Sequence, residues 1–268
     1  MLNQVKAALD IWEYFKGKLN KTPSKSNSAD RFLQSFEAHG VARSQIPRFF
    51  GHGLTLYQVE NDDELLKVLN HQLLEAAAKL FRIRLEWLEG ASSEIYDVTH
   101  FYKQPAAFGD YIDKITASGN RLTGWLINTK ILTHDYDSLI LLEEQIGAVG
   151  EKPIYRYHFC ELWIFNYWKC RVDLAACVAQ GWKKNCYIHG ETISKDQFFK
   201  LSSLKYFPCS PNGESLLSKS KRWDADMLAE VPEKLIANLF DGEWGKQSAL
   251  ARWFQYDKKG LMDTGYVR

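Results

Sequence analysis

Between residues 31 and 48 the chain carries Arg31, Arg43, Ser44, Gln45 and Arg48, side chains with the chemistry to engage a nucleic-acid duplex. An arginine can pair bidentately with guanine and a glutamine with adenine. Gln45 and Arg48, near the start of a helix lying in the major groove, would therefore read base edges. Arg31, Arg43 and Ser44 are of the types that hold phosphates, which fixes register without reading sequence. The same five residues also suit the solvated face of an ordinary helical hairpin.

A helix, a tight turn and a second helix must position them. Phe32 to Gly51 (FLQSFEAHGVARSQIPRFFG) fits a helix-turn-helix window, with Gly40 at the reversal, where the backbone needs a positive φ. Val41 and Ile46 supply the aliphatic contacts that set the crossing angle, and Phe49 adds an apolar position. Phe36 stands where a small residue is usual. Asp30 is expected to cap a helix from Arg31 to His39, and Ser44 to cap the next. Pro47 falls at the third helical position, where its missing amide costs little, although it biases Ile46 toward extended geometry. Residues 1–50 carry eight Lys/Arg against four Asp/Glu, whereas 51–100 carry four against nine, so any nucleic-acid face must be local.

Elsewhere, residues 4–18 have helical apolar spacing and are followed by the connector KTPSKSNSAD. Asn61 and Glu64 read as a capping-box start for one helix running to about Phe81, with Leu66, Leu69, Leu73, Ala77 and Leu80 on its buried face. A short turn from Ile83 to Leu88 stops at Gly90. From Gly119 the runs RLTGWLINTKIL, DSLILLEEQIG, PIYRYHFCELWIF, WKCRVDLAACVAQGW and NCYIHGETIS read as antiparallel strands. The tail after Pro232 returns to helical spacing. The expectation is an α+β chain: an N-terminal helix and linker (1–30), an all-helical helix-turn-helix domain (31–95), and an antiparallel sheet with flanking helices (96–268).

Three other constellations invite chemistry. The Trp and Tyr residues crowded between Trp125 and Tyr187 suit either a core or a pocket floor, the pocket being expected near Trp163 and Trp168. His158, Cys160, Cys170, Cys186 and His189 offer a zinc set without the spacing of a finger or ribbon, the alternative being buried thiols. Asp135, Asp137, Glu143 and Glu144 cluster in sequence, but no Lys or His follows at a spacing that completes an acid-base set, so neither an enzyme nor a cofactor is expected. Five cysteines in 268 residues argue against a disulfide framework. The chain lacks a membrane-length apolar run and a signal-peptide stretch, which points to the cytoplasm without a membrane partner.

The region from about Arg31 to Gly90 resembles the phage-repressor (lambda-repressor/Cro, or Xre) class of helix-turn-helix regulators. AHGVARSQIPRFF carries the likeness as turn plus recognition helix, and LLEAAAKLFRIRLEWLEG looks like the fifth-helix region of those domains. The resemblance covers under a quarter of the chain and departs from the class at Phe36, at Pro47 and in the acidic linker QVENDDE. It implies a regulator that binds double-stranded DNA and commonly acts as a homodimer, here with a second domain for a small-molecule or protein effector. The rival expectation is an interaction adaptor or phage-defence component without direct DNA readout.

Overall fold

The computed structural model describes residues 27–130, 136–209 and 215–266. The expected helix at 4–18, most of the connector after it, and Asp135 lie outside these residues. The first described helix, α1 (Ser28–Ala38), is capped by Asn27, whose side chain accepts from the Asp30 amide while Asp30 reaches back to the Asn27 amide. Asp30 is thus the third residue of a capping box and not the cap itself. A 3₁₀ turn (Arg43–Gln45) leads into α2 (Ile46–Phe49), followed by α3 (Leu56–Glu60), α4 (Asp62–Val68), α5 (His71–Phe81) and α6 (Leu85–Leu88).

The single helix expected from Asn61 to Phe81 is two. Asn61 caps α4, and Asn70 caps α5 by accepting from the Leu73 amide at 3.0 Å. An asparagine side chain that satisfies the next turn's amides competes with helix propagation and restarts the helix in a new direction. That redirection leaves Leu66 40% exposed while Leu73 is buried.

After β1 (Val98–Thr99) and α7 (Pro105–Thr116) come β2 (Leu122–Thr129), β3 (Ser138–Val149) and β4 (Lys152–Trp163). Helix α8 (Trp168–Lys183) then crosses to β5 (Tyr187–Ile193), followed by α9 (Lys195–Ser202), β6 (Lys221–Trp223), α10 (Met227–Glu230), α11 (Pro232–Ile236) and α12 (Gly242–Lys258). The strand order is β1-β4-β3-β2-β5-β6. β2, β3 and β4 form an antiparallel meander, but β2 pairs parallel with β5 and β1 parallel with β4.

The sheet is therefore mixed, which corrects the antiparallel expectation. The cause is the run WKCRVDLAACVAQGW, read as a strand and in fact α8. Almost all of its residues are buried, and a helix buried on every side loses the polar face that would mark its period. As a helix it provides the crossover that lets β5 run parallel to β2.

Helices cover both faces of the sheet. Leu122, Leu126, Ile140, Leu142 and Cys160 share one core with α7, α8 and the C-terminal helices, while Ile127, Leu141, Ile154 and Phe159 share a second with α1–α6 and α9. Phe32, Phe36, Phe50 and Phe81 interlock at the heart of the second core, with ring centroids 4.9–5.8 Å apart. The helical region is thus bonded to the sheet through a continuous apolar layer.

Candidate functional site

The turn of the helix-turn-helix window forms as its spacing requires. Gly40 lies at φ +86°, and Val41 and Ile46 are fully buried beneath it. A side chain at Gly40 would meet Lys152, whose Nζ is 2.9 Å from the position of a built Cβ, so the start of β4 lies against the turn. Phe49 packs in the same way on Gly147 of β3.

The five expected DNA-contacting residues divide into two groups. Arg31 donates through Nη1 to the Trp87 carbonyl at 2.5 Å and to the Ser92 carbonyl at 3.3 Å, tying α1 to the end of α6. Arg43 bonds the Val59 carbonyl through Nε and pairs with Asp62, which draws α3 and α4 onto the turn. Both arginines are thus engaged within the helical region. Ser44 and Arg48 are exposed. The cap expected of Ser44 does not form, since no side chain caps α2; Gln45 Oε1 instead reaches back over the 3₁₀ turn and accepts from the Ala42 amide at 2.9 Å. Gln45, Arg48 and Phe49 also border a shallow depression whose far wall is Gly147, Ala148 and Val149 at the β3–β4 hairpin tip.

Trp163 and Trp168 are buried in the α8-side core, and neither lines the cavity whose walls include Phe165 and Arg171. That cavity has a volume of about 490 Å³ and lies where the parallel strands β2 and β5 end, with Asn128, Thr192, Phe165, Arg171, Trp223 and Lys221 among its walls. Asn128 and Thr192 are register partners, and Thr192 Oγ1 donates to Asn128 Oδ1 at 2.6 Å. Arg171, from α8, donates to the carbonyls of Phe165, Leu235 and Ala237 and to the side chain of Asn166. Burial lowers its pKa to about 10, so at neutral pH it remains a cation inside the wall.

A second polar cluster joins residues whose partnership went unseen in the sequence. Glu144 of β3 is fully buried and accepts from Asn120 Nδ2 at 2.6 Å, from Arg156 Nε and Nη2 at 2.6 and 2.7 Å, and from His158 Nε2 at 2.8 Å. Burial pushes its carboxyl up, but the bonds from His158, Arg156 and Asn120 outweigh that and hold it at about 2. His158 is lowered by burial, against the pull of Glu144, and its Nδ1 lies 2.9 Å from the Tyr111 hydroxyl. With Nε2–H donating to a carboxylate, Nδ1 must accept from Tyr111, which fixes one neutral tautomer. His158 therefore stands beside Glu144 alone, while Glu143, one residue along the strand, points to the other face of the sheet. The hairpin brings His158 there: Leu142 pairs with His158 and Glu144 with Arg156 across β3 and β4.

The cysteines do not converge. Four of the five are buried, burial raises the thiol of Cys170 to about 11 and that of Cys186 to about 12, and all five are free. Among the described residues no group of three or more His, Cys, Asp or Glu side chains is placed to hold a metal ion. No helix among them is long and apolar enough to cross a membrane.

No protein-family profile, no curated protein and no solved structure matches the chain.

Proposed function

We propose that the chain is a cytoplasmic DNA-binding regulator that meets the duplex with its helical layer, while the sheet layer senses a ligand, dimerises or binds a partner. The observation that carries this reading is the turn at Gly40, with Val41 and Ile46 buried beneath it and Ser44 and Arg48 left exposed above. Lys152, seated against Gly40, adds a second cation at the turn. In this reading Arg48 and Lys152 supply phosphate attraction and Ser44 a hydrogen bond. Gln45 reads a base through the amide nitrogen left over once its oxygen has accepted from Ala42. Arg31 and Arg43 act as braces that hold the turn, which revises the phosphate role expected of them.

Fluorescence anisotropy with a labelled duplex from the gene's own upstream region tests the reading. Binding should weaken steeply as salt rises from about 50 to about 200 mM. The double variant Arg48→Ala/Lys152→Ala should bind roughly tenfold more weakly while melting at the parental temperature. Absence of salt-dependent binding to any duplex at low salt defeats the proposal.

A second reading, an interaction adaptor or phage-defence component, is favoured by one feature. Leu56 and Tyr57, adjacent on α3, are 55% and 68% exposed, an apolar pair of the kind a protein partner covers. In that case Leu56→Ser/Tyr57→Ser abolishes capture of the partner, and Arg48→Ala has no effect.

A further inference from the structure

We propose that the cavity at the carboxyl ends of β2 and β5 binds a mononucleotide, a flat heterocycle carrying a phosphate. The inference deepens the sensing half of the reading above and does not depend on contact with DNA.

Place is the first argument. In open sheets with a helical crossover, ligands lodge outside the carboxyl ends of parallel strands, because the connections diverge there and leave a crevice. β2 and β5 are such a pair, joined in parallel over Thr123–Thr129 and Tyr187–Ile193. Asn128 and Thr192, near their ends, both line the cavity. Its volume, about 490 Å³, lies within the range typical of small-molecule sites.

Charge is the second. Arg171, Lys221 and Lys234 line the cavity against a single lining carboxylate, Asp224. Arg171 spends four N–H bonds on neutral oxygens, and the buried carboxylate that acts on it, Asp137, accepts from the Phe165 amide outside the cavity lining, so the excess at the mouth rests on Lys221 and Lys234. Lys221 and Lys234 are exposed at the rim, and neither forms an ion pair among the described residues. A neutral ligand would leave this excess unused, whereas a phosphate placed between the two lysines would satisfy it.

Shape is the third. A bare anion would not need the aromatic wall made by Trp223 and Phe165, whose rings meet edge to face with centroids 5.9 Å apart. The Arg171 guanidinium already covers Phe165, 4.4 Å from its centroid, which leaves Trp223 as the ring for stacking. Trp223 is held flat against Gly190 of β5, where a built Cβ would fall 2.2 Å from a ring carbon. Its indole N–H is buried without a hydrogen-bond partner, a donor awaiting an acceptor. The Asn128 amide nitrogen, left over once its oxygen has accepted from Thr192, adds a donor on the cavity floor. Asp224 suits the ribose, whose hydroxyls donate.

The test is isothermal titration of the full chain, without DNA, against the four common ribonucleoside monophosphates, their nucleosides and inorganic phosphate. At least one monophosphate should bind, quench Trp223 fluorescence, and do so about tenfold or more tightly than its nucleoside or phosphate alone. Lys221→Ala/Lys234→Ala, at two exposed positions, should lose that advantage without a change in melting temperature. Arg48→Ala/Lys152→Ala should bind the nucleotide normally, so that failure here and failure of DNA binding are separate results. The proposal is overturned if no monophosphate binds at millimolar concentration, if phosphate alone binds as tightly, or if the lysine double variant binds like the parent.

Discussion

Glu144 and His158 face one another across the β3–β4 hairpin, Oε2 to Nε2 at 2.8 Å, inside the protein and beyond the reach of water. Arg156 and Asn120 fill the remaining acceptor sites of Glu144, so the carboxylate is saturated with donors. The cluster joins the two strands to the approach of β2 and, through Tyr111, to α7.

Glu144→Gln is expected to lower stability by roughly 3 kcal/mol at pH 7, because it leaves Arg156 and His158 without their carboxylate. The parental stabilisation comes from a carboxyl held at about 2, below the ordinary glutamate value near 4.3, so it is complete above that value and fades as pH falls toward 2. Urea titrations at pH 7, 5 and 3 should therefore show a parent-to-variant gap that narrows only at the most acid point. A gap independent of pH would show that the charge is unimportant.

His39 works in the same direction over a higher pH interval. It closes α1, stacks on Phe81 with centroids 4.2 Å apart, donates Nδ1–H to the Ser35 carbonyl at 2.6 Å, and buries Nε2 without a partner. Burial lowers its pKa to about 4 from an ordinary 6.5. The unfolded chain thus takes up a proton that the folded chain refuses, and stability falls as pH drops from 6.5 to about 4, by up to roughly 3 kcal/mol. His39→Phe, which keeps the stack and removes the titration, should flatten the stability profile over that interval.

Gly190→Ala should disturb Trp223, since the added methyl would collide with both its ring and its carbonyl. A loss of roughly 1 to 3 kcal/mol and a red-shifted tryptophan emission are expected. An unchanged spectrum and melting point would mean that the ring does not rest on the glycine.

Leu66 and Leu73 separate what a periodic pattern promises from what packing delivers. Both fall on the apolar stripe read from the sequence, but the break at Asn70 leaves Leu66 40% exposed and Leu73 buried. Leu73→Ala should cost roughly 2 to 5 kcal/mol, and Leu66→Ala less than about 0.5 kcal/mol. Equal losses in denaturant melts would contradict the break.

Much of the helical region was legible because its signals are local. Gly40, Val41 and Ile46 mark the turn, and Gly90, at φ +86°, marks the stop after α6. The meander strands and β5 were legible as short runs rich in aromatic and branched residues, punctuated by glycines. What escaped depended on partners distant in sequence. Helix α8 showed no amphipathic contrast because both the sheet and the C-terminal helices bury it, with Asp173 accepting from Arg252 and Tyr256 of α12. Glu144 and His158 look unrelated until the hairpin is folded about Gly150. Counting equal steps from that turn would have paired Glu144 with Arg156 and placed His158 nearby. The cavity was expected at Trp163 and Trp168 because aromatic density was the available cue. It opens instead at Trp223, which reaches the cavity through β6 on the far side of β5.

The parallel seam between β2 and β5 also orders events in time. Asn128 and Thr192, hydrogen-bonded across it, are 64 residues apart in the chain, so the seam cannot close until α8 and β5 have been made. Such distant pairings make refolding slow compared with a helical bundle of equal stability. A ribosome that has emitted the meander but not β5 therefore presents β2 as a bare strand edge. At that moment nascent chains are most apt to pair with one another, and a chaperone would have most to shield.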